Sequence, residues 1–147
     1  MTHSQIKTQK INLQKQSRQF TQQELDAVML QNPNITCNGL ELPTSKDFAK
    51  NRHFLKESLE AFQYCCAYLR LCKKTKTPCR DSLHSGYLKS HVETVMKIYV
   101  PSGAIVAAAE CLGIKYYSNI KNTPFVKLYI SSKLPFTLEQ ELVAREL

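Results

Sequence analysis

The stretch that decides the fold runs from Ser85 to Gly113 and reads SGYLKSHVETVMKIYVPSGAIVAAAECLG. Its apolar spacing predicts two helices, over 86–98 and 103–112, which a Pro-Ser break separates. Ser85 and Ser102 stand where N-cap residues are expected, and Gly113 stands where a left-handed C-cap residue is expected. Two helices that close at a tight glycine turn are typical of half a helix-turn-helix, or of a packed helical corner.

The residues after this turn fit a helix-turn-helix less well. A recognition helix over 115–122 would have Asn119 where an inward-facing apolar residue is needed, and Pro124 would limit it to about two turns. A winged variant, in which 114–131 form a basic hairpin, keeps DNA binding open. We therefore expect a helix-turn-helix-like corner at 86–113 and leave open whether a recognition helix or a β-hairpin follows it.

The region before the corner is predicted to hold a long core helix at about 45–74. No Gly or Pro interrupts it, and its apolar residues recur at helical spacing. That stripe consists of Phe48, Leu55, Leu59, Phe62, Cys66 and Leu69. A coiled-coil seam is the alternative interpretation, but the stripe has fewer than four clean heptads. A capping-box pattern from Thr21 to Glu24 predicts a shorter helix before it.

The region after the corner is predicted to contain a strand, because Val126, Leu128 and Ile130 alternate with polar residues. Residues 114–117 are its expected hairpin partner, and a last helix is expected over 137–147. The fold class is therefore mainly α with a small β-hairpin.

At 147 residues the chain is long enough for one domain with its own core. Residues 1–20 are basic, poor in apolar side chains and free of acidic ones, so we expect a flexible N-terminal arm followed by a single globular domain over 21–147. No apolar run approaches the roughly 20 residues that span a bilayer, and no secretory signal opens the sequence. We expect a cytoplasmic protein with no membrane partner, whose six cysteines are free thiols.

The net charge of +8 favours an anionic partner, nucleic acid above all, although it is also compatible with simple solubility. The densest basic patch follows the long predicted helix, where lysines also suit a helix C-terminus. The candidate nucleic-acid-binding residues are Arg70, Lys73, Lys74, Lys76 and Arg80 in this patch, and Lys115, Tyr116, Tyr117 and Lys121 after the glycine turn. With Lys127 and Tyr129, the tyrosines suggest stacking on a single strand, but half-buried strand tyrosines are the favoured interpretation.

No catalytic signature is present, since the sequence lacks a Walker-type loop, H-E-x-x-H and G-x-S-x-G. A zinc site is disfavoured because no two cysteines have the C-x2-C spacing of a zinc knuckle, although Cys79 and His84 could supply two ligands. We expect no enzyme, no metal and no cofactor.

The blocks GYLKSHVE, YVPSGAIVAAAECLGI and NTPFVKLYIS, within 85–131, resemble a group of small, mostly uncharacterised proteins from phages, plasmids and integrative elements. This resemblance implies an accessory protein of a bacterial mobile element and no particular activity. Together with the charge, it leads us to expect a DNA-binding or regulatory protein. The alternative is a non-catalytic inhibitor or modulator of a host complex, such as a defence complex, which it would bind through the apolar face of the long helix.

Overall fold

The computed structural model describes residues 2–80 and 83–135, and within them six helices and two short antiparallel hairpins. This confirms the predicted fold class. The helices are α1 (His3–Ser17), α2 (Gln22–Gln31), α3 (Phe48–Lys56), α4 (Leu59–Arg70), α5 (Ser85–Met96) and α6 (Ser102–Leu112). The strands are β1 (Ile35–Thr36), β2 (Gly39–Leu40), β3 (Tyr116–Ser118) and β4 (Val126–Leu128). The helix predicted over 137–147 lies outside the described residues.

Helix α6 is the centre of the molecule. All its residues from Gly103 to Ala109 are buried, and it packs against α4, α5, α2 and the β1–β2 hairpin. Its small side chains let these neighbours approach closely, and the Gly103 amide donates a hydrogen bond to the Cys37 carbonyl at 2.9 Å. The corner that resembles a helix-turn-helix is thus built around the most deeply buried helix of the described chain.

The predicted corner forms, but it does not present a recognition helix. Gly113 ends α6 in the left-handed conformation, with φ of 69°, as expected. Strand β3 follows, and no helix occurs between there and residue 135. Of the two alternatives left open, the β-hairpin forms and a recognition helix over 115–122 does not, because cross-strand pairing with β4 holds residues 116–118 extended.

The predicted caps of the corner are corrected by one residue each. The Nδ1 atom of His84, not Ser85, accepts hydrogen bonds from the first amides of α5, at 3.0 Å from the Gly86 nitrogen. Ser85 is buried, and its hydroxyl oxygen accepts a 3.0 Å hydrogen bond from the Val126 amide. Pro101 is the N-cap residue of α6 in place of Ser102. Ser85 therefore links α5 to β4 through a hydrogen bond and does not cap α5.

The long helix predicted over 45–74 is two helices, α3 and α4. The chain bends at Glu57 and Ser58. The Ser58 amide donates a 2.9 Å hydrogen bond to the Leu55 carbonyl, and α4 begins at the next residue. The bend lets α3 cover β1 while α4 packs against α6 and α1, which one straight helix would not do. At its other end α4 stops at Arg70, and residues 73–75 pair with 129–131, which follow β4.

The N-terminal segment predicted to be a flexible arm contains helix α1. Thr2 and Gln5 form a reciprocal capping box at its start. Leu13 is only 3% exposed, and α1 packs on α4. The capping box and the buried Leu13 therefore accompany a helix in a segment whose low overall hydrophobicity predicted none. Across the described ranges, every helix is too short or too polar to span a lipid bilayer.

Candidate nucleic-acid interface

The outward side of the β3–β4 hairpin carries alternating lysines and tyrosines. Tyr117 pairs with Lys127 in the register, and the Tyr129 amide donates to the Lys115 carbonyl at 2.8 Å. Successive strand side chains point to opposite faces, so these four residues share one side of the hairpin. The other side of β4 carries Val126 and Leu128, which are buried in the core. Each lysine on the outward side therefore lies across from a tyrosine.

Residues 73–76 extend this surface along the free side of β4. The Thr75 amide donates to the Tyr129 carbonyl at 2.9 Å, and the Ser131 amide donates to the Lys73 carbonyl at 2.8 Å. Together with the glycine turn, the added segment forms a shallow depression. Its lining residues are Lys74, Thr75, Lys76, Gly113, Ile114, Lys115 and Tyr129. The basic patch before α5 and the residues after α6 are therefore neighbours in the fold.

A second depression lies at the other end of the same side. It is lined by His84, Tyr117, Asn119, Thr123, Phe125 and Lys127. The His84 and Phe125 rings stack with centroids 4.7 Å apart and planes 4° apart. The Lys127 ammonium lies 4.9 Å from the centre of the Tyr117 ring, within the range of a cation–π contact. We call the residues that line the two depressions, taken together, the hairpin face.

The electrostatic character of the hairpin face follows from the two segments that build it. Neither 61–80 nor 111–135 contains an Asp or a Glu. Their cations are Arg70, Lys73, Lys74, Lys76, Arg80, Lys115, Lys121, Lys127 and Lys133. Because the fold pairs residues 73–79 with 128–131, the lysines of the two segments lie near one another, and their positive charges together favour an anion. The two acid-free stretches are the sequence signal that could have identified the face.

Four of the predicted binding residues lie on the hairpin face: Lys74, Lys76, Lys115 and Tyr117. The Lys74 ammonium also donates to the Leu112 carbonyl at 3.2 Å, so this lysine stabilises the C-terminus of α6 as well.

Two predicted residues lie elsewhere. The Arg70 guanidinium sits 4.5 Å from the Phe20 ring centre and bonds the Gln19 side chain at 3.1 Å, at the junction of α1 and α2. Tyr116 points to the other side of β3, where its hydroxyl donates to the Glu110 carboxylate at 2.6 Å. Burial, together with Glu110, raises the pKa of Tyr116. A side chain that faces a carboxylate is not placed to meet a phosphate.

The remaining predicted residues flank the hairpin face without lining either depression. Lys73 and Arg80 are exposed on the segment beside β4, and Lys121 is exposed in the turn between β3 and β4. They add charge around the face rather than defining its shape. Lys127 and Tyr129, which were not among the predicted binding residues, are part of the face.

The thiols and histidines suggested as metal ligands have other roles. The Cys79 thiol contacts the Leu83 carbonyl at 3.2 Å, and Nδ1 of His84 caps α5. No three His, Cys, Asp or Glu residues of the described segments come close enough to hold a metal ion. All six cysteines are thiols, and burial raises the pKa of Cys72 to about 12, so this thiol is protonated near neutral pH.

The chain matches no family model, and comparison with curated proteins and with solved structures finds no match. The geometry and charge of the hairpin face therefore provide the basis for assigning a function.

Proposed function

We propose that this protein binds nucleic acid through the hairpin face and acts as a small DNA-binding or regulatory protein. The observation that carries the proposal is the pairing of two acid-free, lysine-bearing segments into one surface on which lysines alternate with tyrosines. In this proposal the contact is made by a strand pair and an adjoining loop, and not by a recognition helix. The accessory role in a bacterial mobile element rests on the sequence resemblance.

The lysines supply the affinity in this proposal. Exposed Lys76 and Lys115 and the half-buried Lys127 present ammonium groups from three different segments of the hairpin face. Each phosphate that they neutralise releases condensed counterions, so binding weakens steeply as salt is added. Solvated lysines with no ligand would show no such dependence, because nothing would be bound at any salt concentration.

The alternative role, as an inhibitor or modulator of a host protein, has less support in the geometry. It assumed that the long helix offers an apolar face to a partner. The apolar side of α4 is instead buried, with Phe62, Cys66 and Leu69 at 1% exposure or less. That face is covered by the protein's own core.

The test is an anisotropy titration of labelled single-stranded and duplex DNA at several salt concentrations. We expect affinity to fall at least about 100-fold between about 50 and 200 mM salt. A triple variant, Lys76→Ala with Lys115→Ala and Lys127→Ala, should bind weakly, and its plot of log affinity against log salt should be shallower by about 3.

The matched control is Lys46→Ala with Lys50→Ala and Lys56→Ala. It removes the same charge from exposed positions that line neither depression of the hairpin face. The control should keep the wild-type affinity and salt slope. Equal losses in the two triples would show that only net charge matters, and the absence of salt-dependent binding would refute the proposal.

A further inference from the structure

We infer that the nucleic acid bound at the hairpin face is single-stranded, and that one of its bases stacks in the depression between Tyr117 and Phe125. This inference rests on the proposed function and specifies its substrate class. The hairpin face combines cations with aromatic rings, and the two kinds of group recognise different parts of a nucleic acid. Cations hold phosphates in any strand, whereas aromatic rings need an exposed base.

The rings of this depression are accessible to a ligand. Tyr117 is 51% exposed and Phe125 is 36% exposed, so both rings present apolar area to solvent. In a duplex the faces of the bases are covered by their stacked neighbours, and neither ring would gain a partner. In a single strand every base has a π-face available, so stacking would remove exposed area from ring and base together.

The rings are also held in place before any ligand arrives. The His84 ring is fixed because its Nδ1 atom accepts hydrogen bonds from the Gly86 and Tyr87 amides. Phe125 is in turn stacked on the His84 ring. The Lys127 ammonium at the Tyr117 ring places a positive charge beside the stacking surface, where the phosphate of the same nucleotide would lie. A preorganised aromatic surface loses little side-chain entropy on binding.

Polar groups at the rim can contact the edge of a stacked base or the adjoining sugar. Asn119 offers an amide that both donates and accepts, and Thr123 offers a hydroxyl. The Thr123 oxygen already accepts a 3.2 Å hydrogen bond from the Phe125 amide, which fixes its position beside the ring. These groups tolerate any base, so the inferred site favours single strands without requiring one sequence.

The experiment uses anisotropy to compare labelled oligothymidylate with an abasic single strand that has the same length and the same number of phosphates. A DNA duplex of equal length is the third probe. We expect oligothymidylate to bind the wild-type protein roughly ten-fold tighter than the abasic strand, because stacking on one ring contributes that much. Tyr117→Ala and Phe125→Leu should each reduce this preference, whereas Tyr117→Phe should keep it because the ring is retained.

Tyr99→Ala is the matched control. Tyr99 is 66% exposed and has the Lys89 ammonium 5.6 Å from its ring centre, so it reproduces the Tyr117 environment away from the hairpin face. It should leave binding of all three probes unchanged. Circular dichroism and thermal unfolding establish that each variant is folded before its binding is compared.

The outcomes separate the two levels of the proposal. The first outcome is that the abasic strand or the duplex binds as tightly as oligothymidylate, and that the lysine triple weakens binding but the aromatic variants do not. In that case the single-strand inference fails and nucleic-acid binding stands. If none of the probes binds in a salt-dependent way, both fail. A base-dependent preference that Tyr117→Ala removes, and that Tyr99→Ala leaves, supports both.

Discussion

The carbonyl oxygen of Thr36 occupies the space that a side chain on Gly103 would need. A Cβ atom added at Gly103 would lie closer to this oxygen than van der Waals contact permits. The obstacle is backbone, so it cannot rotate aside as a side-chain tip would. We expect Gly103→Ala to force the β1–β2 hairpin away from α6 and to lower the free energy of unfolding by about 3 kcal/mol, measured by urea denaturation.

Gly113→Ala is the control for this substitution. No atom lies within 4 Å of a Cβ added there, but φ is 69°. The expected cost is about 1 kcal/mol, from the left-handed backbone alone. Equal costs at the two glycines would contradict the packing argument for Gly103.

The stability of the protein should depend on pH through His91. This side chain is 2% exposed and lies against the rings of Tyr87 and Tyr68, with centroids 4.7 Å and 6.4 Å away. Burial lowers the pKa of His91 to about 4, against about 6.5 in an unfolded chain. Between these values the unfolded chain binds more protons, so stability is fully present above about pH 6.5 and is lost as the pH falls towards 4.

The expected loss reaches about 3 kcal/mol at the acid end of this window, in urea denaturation repeated across the pH range. His91→Gln should flatten the profile over that window. His53→Gln, which changes an exposed histidine on α3, is the comparison variant. If both variants kept the wild-type slope, the dependence would have another source.

Arg52 should be essential for the connection after α2. Its guanidinium donates to the carbonyls of Met29 at 2.8 Å, Pro33 at 2.8 Å and Ile35 at 2.9 Å, and to a fourth at Asn32. A lysine keeps the charge but lacks the planar fork that reaches several acceptors at once. We expect Arg52→Lys to lower the free energy of unfolding by about 2 kcal/mol, measured by urea denaturation, since these carbonyls, most of them part-buried, lose their donors.

The matched substitution is Arg70→Lys, where the guanidinium bonds one exposed glutamine and lies over the Phe20 ring. It should cost under about 1 kcal/mol. A similar effect at both arginines would show that the carbonyl cluster is not what makes Arg52 important.

The thiols should divide into two classes in a titration with a disulfide reagent. Cys37 and Cys111 are half-buried, and the other four are buried. Two thiols should therefore react in the native protein and all six in guanidinium chloride. The Cys111 thiol contacts the Glu24 carboxylate at 3.6 Å, and burial and this carboxylate both raise its pKa, so it should react slowly. A double variant, Cys37→Ser with Cys111→Ser, should leave no thiol reactive before unfolding.

Features encoded within a few residues were predictable from the sequence. The Thr21–Glu24 capping box forms as expected, with the Glu24 amide donating to the Thr21 hydroxyl at 3.2 Å. Gly113 adopts its left-handed cap, and the alternation around Val126 and Leu128 is a half-buried strand. In each case the neighbours that decide the conformation are close along the chain.

Features that depend on distant contacts were not predictable. Leu55 and Leu59 keep helical spacing across the bend at Ser58. The apolar periodicity of the sequence therefore gives no indication that the helix is interrupted there. The pairing of Lys74 with Ile130 joins segments far apart in sequence, and no local pattern specifies it. For this reason the two groups of candidate lysines could be named from the sequence, but their common surface could not.

The pairing of residues 73–75 with 129–131 has a thermodynamic consequence. Neither segment alone contains the proposed binding surface, so a peptide that carries only one of them should bind nucleic acid weakly. Any ligand that requires both segments binds the native state and not the denatured chain. It must therefore raise the melting temperature, and the rise continues with the logarithm of the ligand concentration after the site is saturated. Recognition and folding are then linked equilibria. A substitution inside α6 that unfolds an appreciable fraction of the protein would weaken binding by that fraction, although every lysine is unchanged.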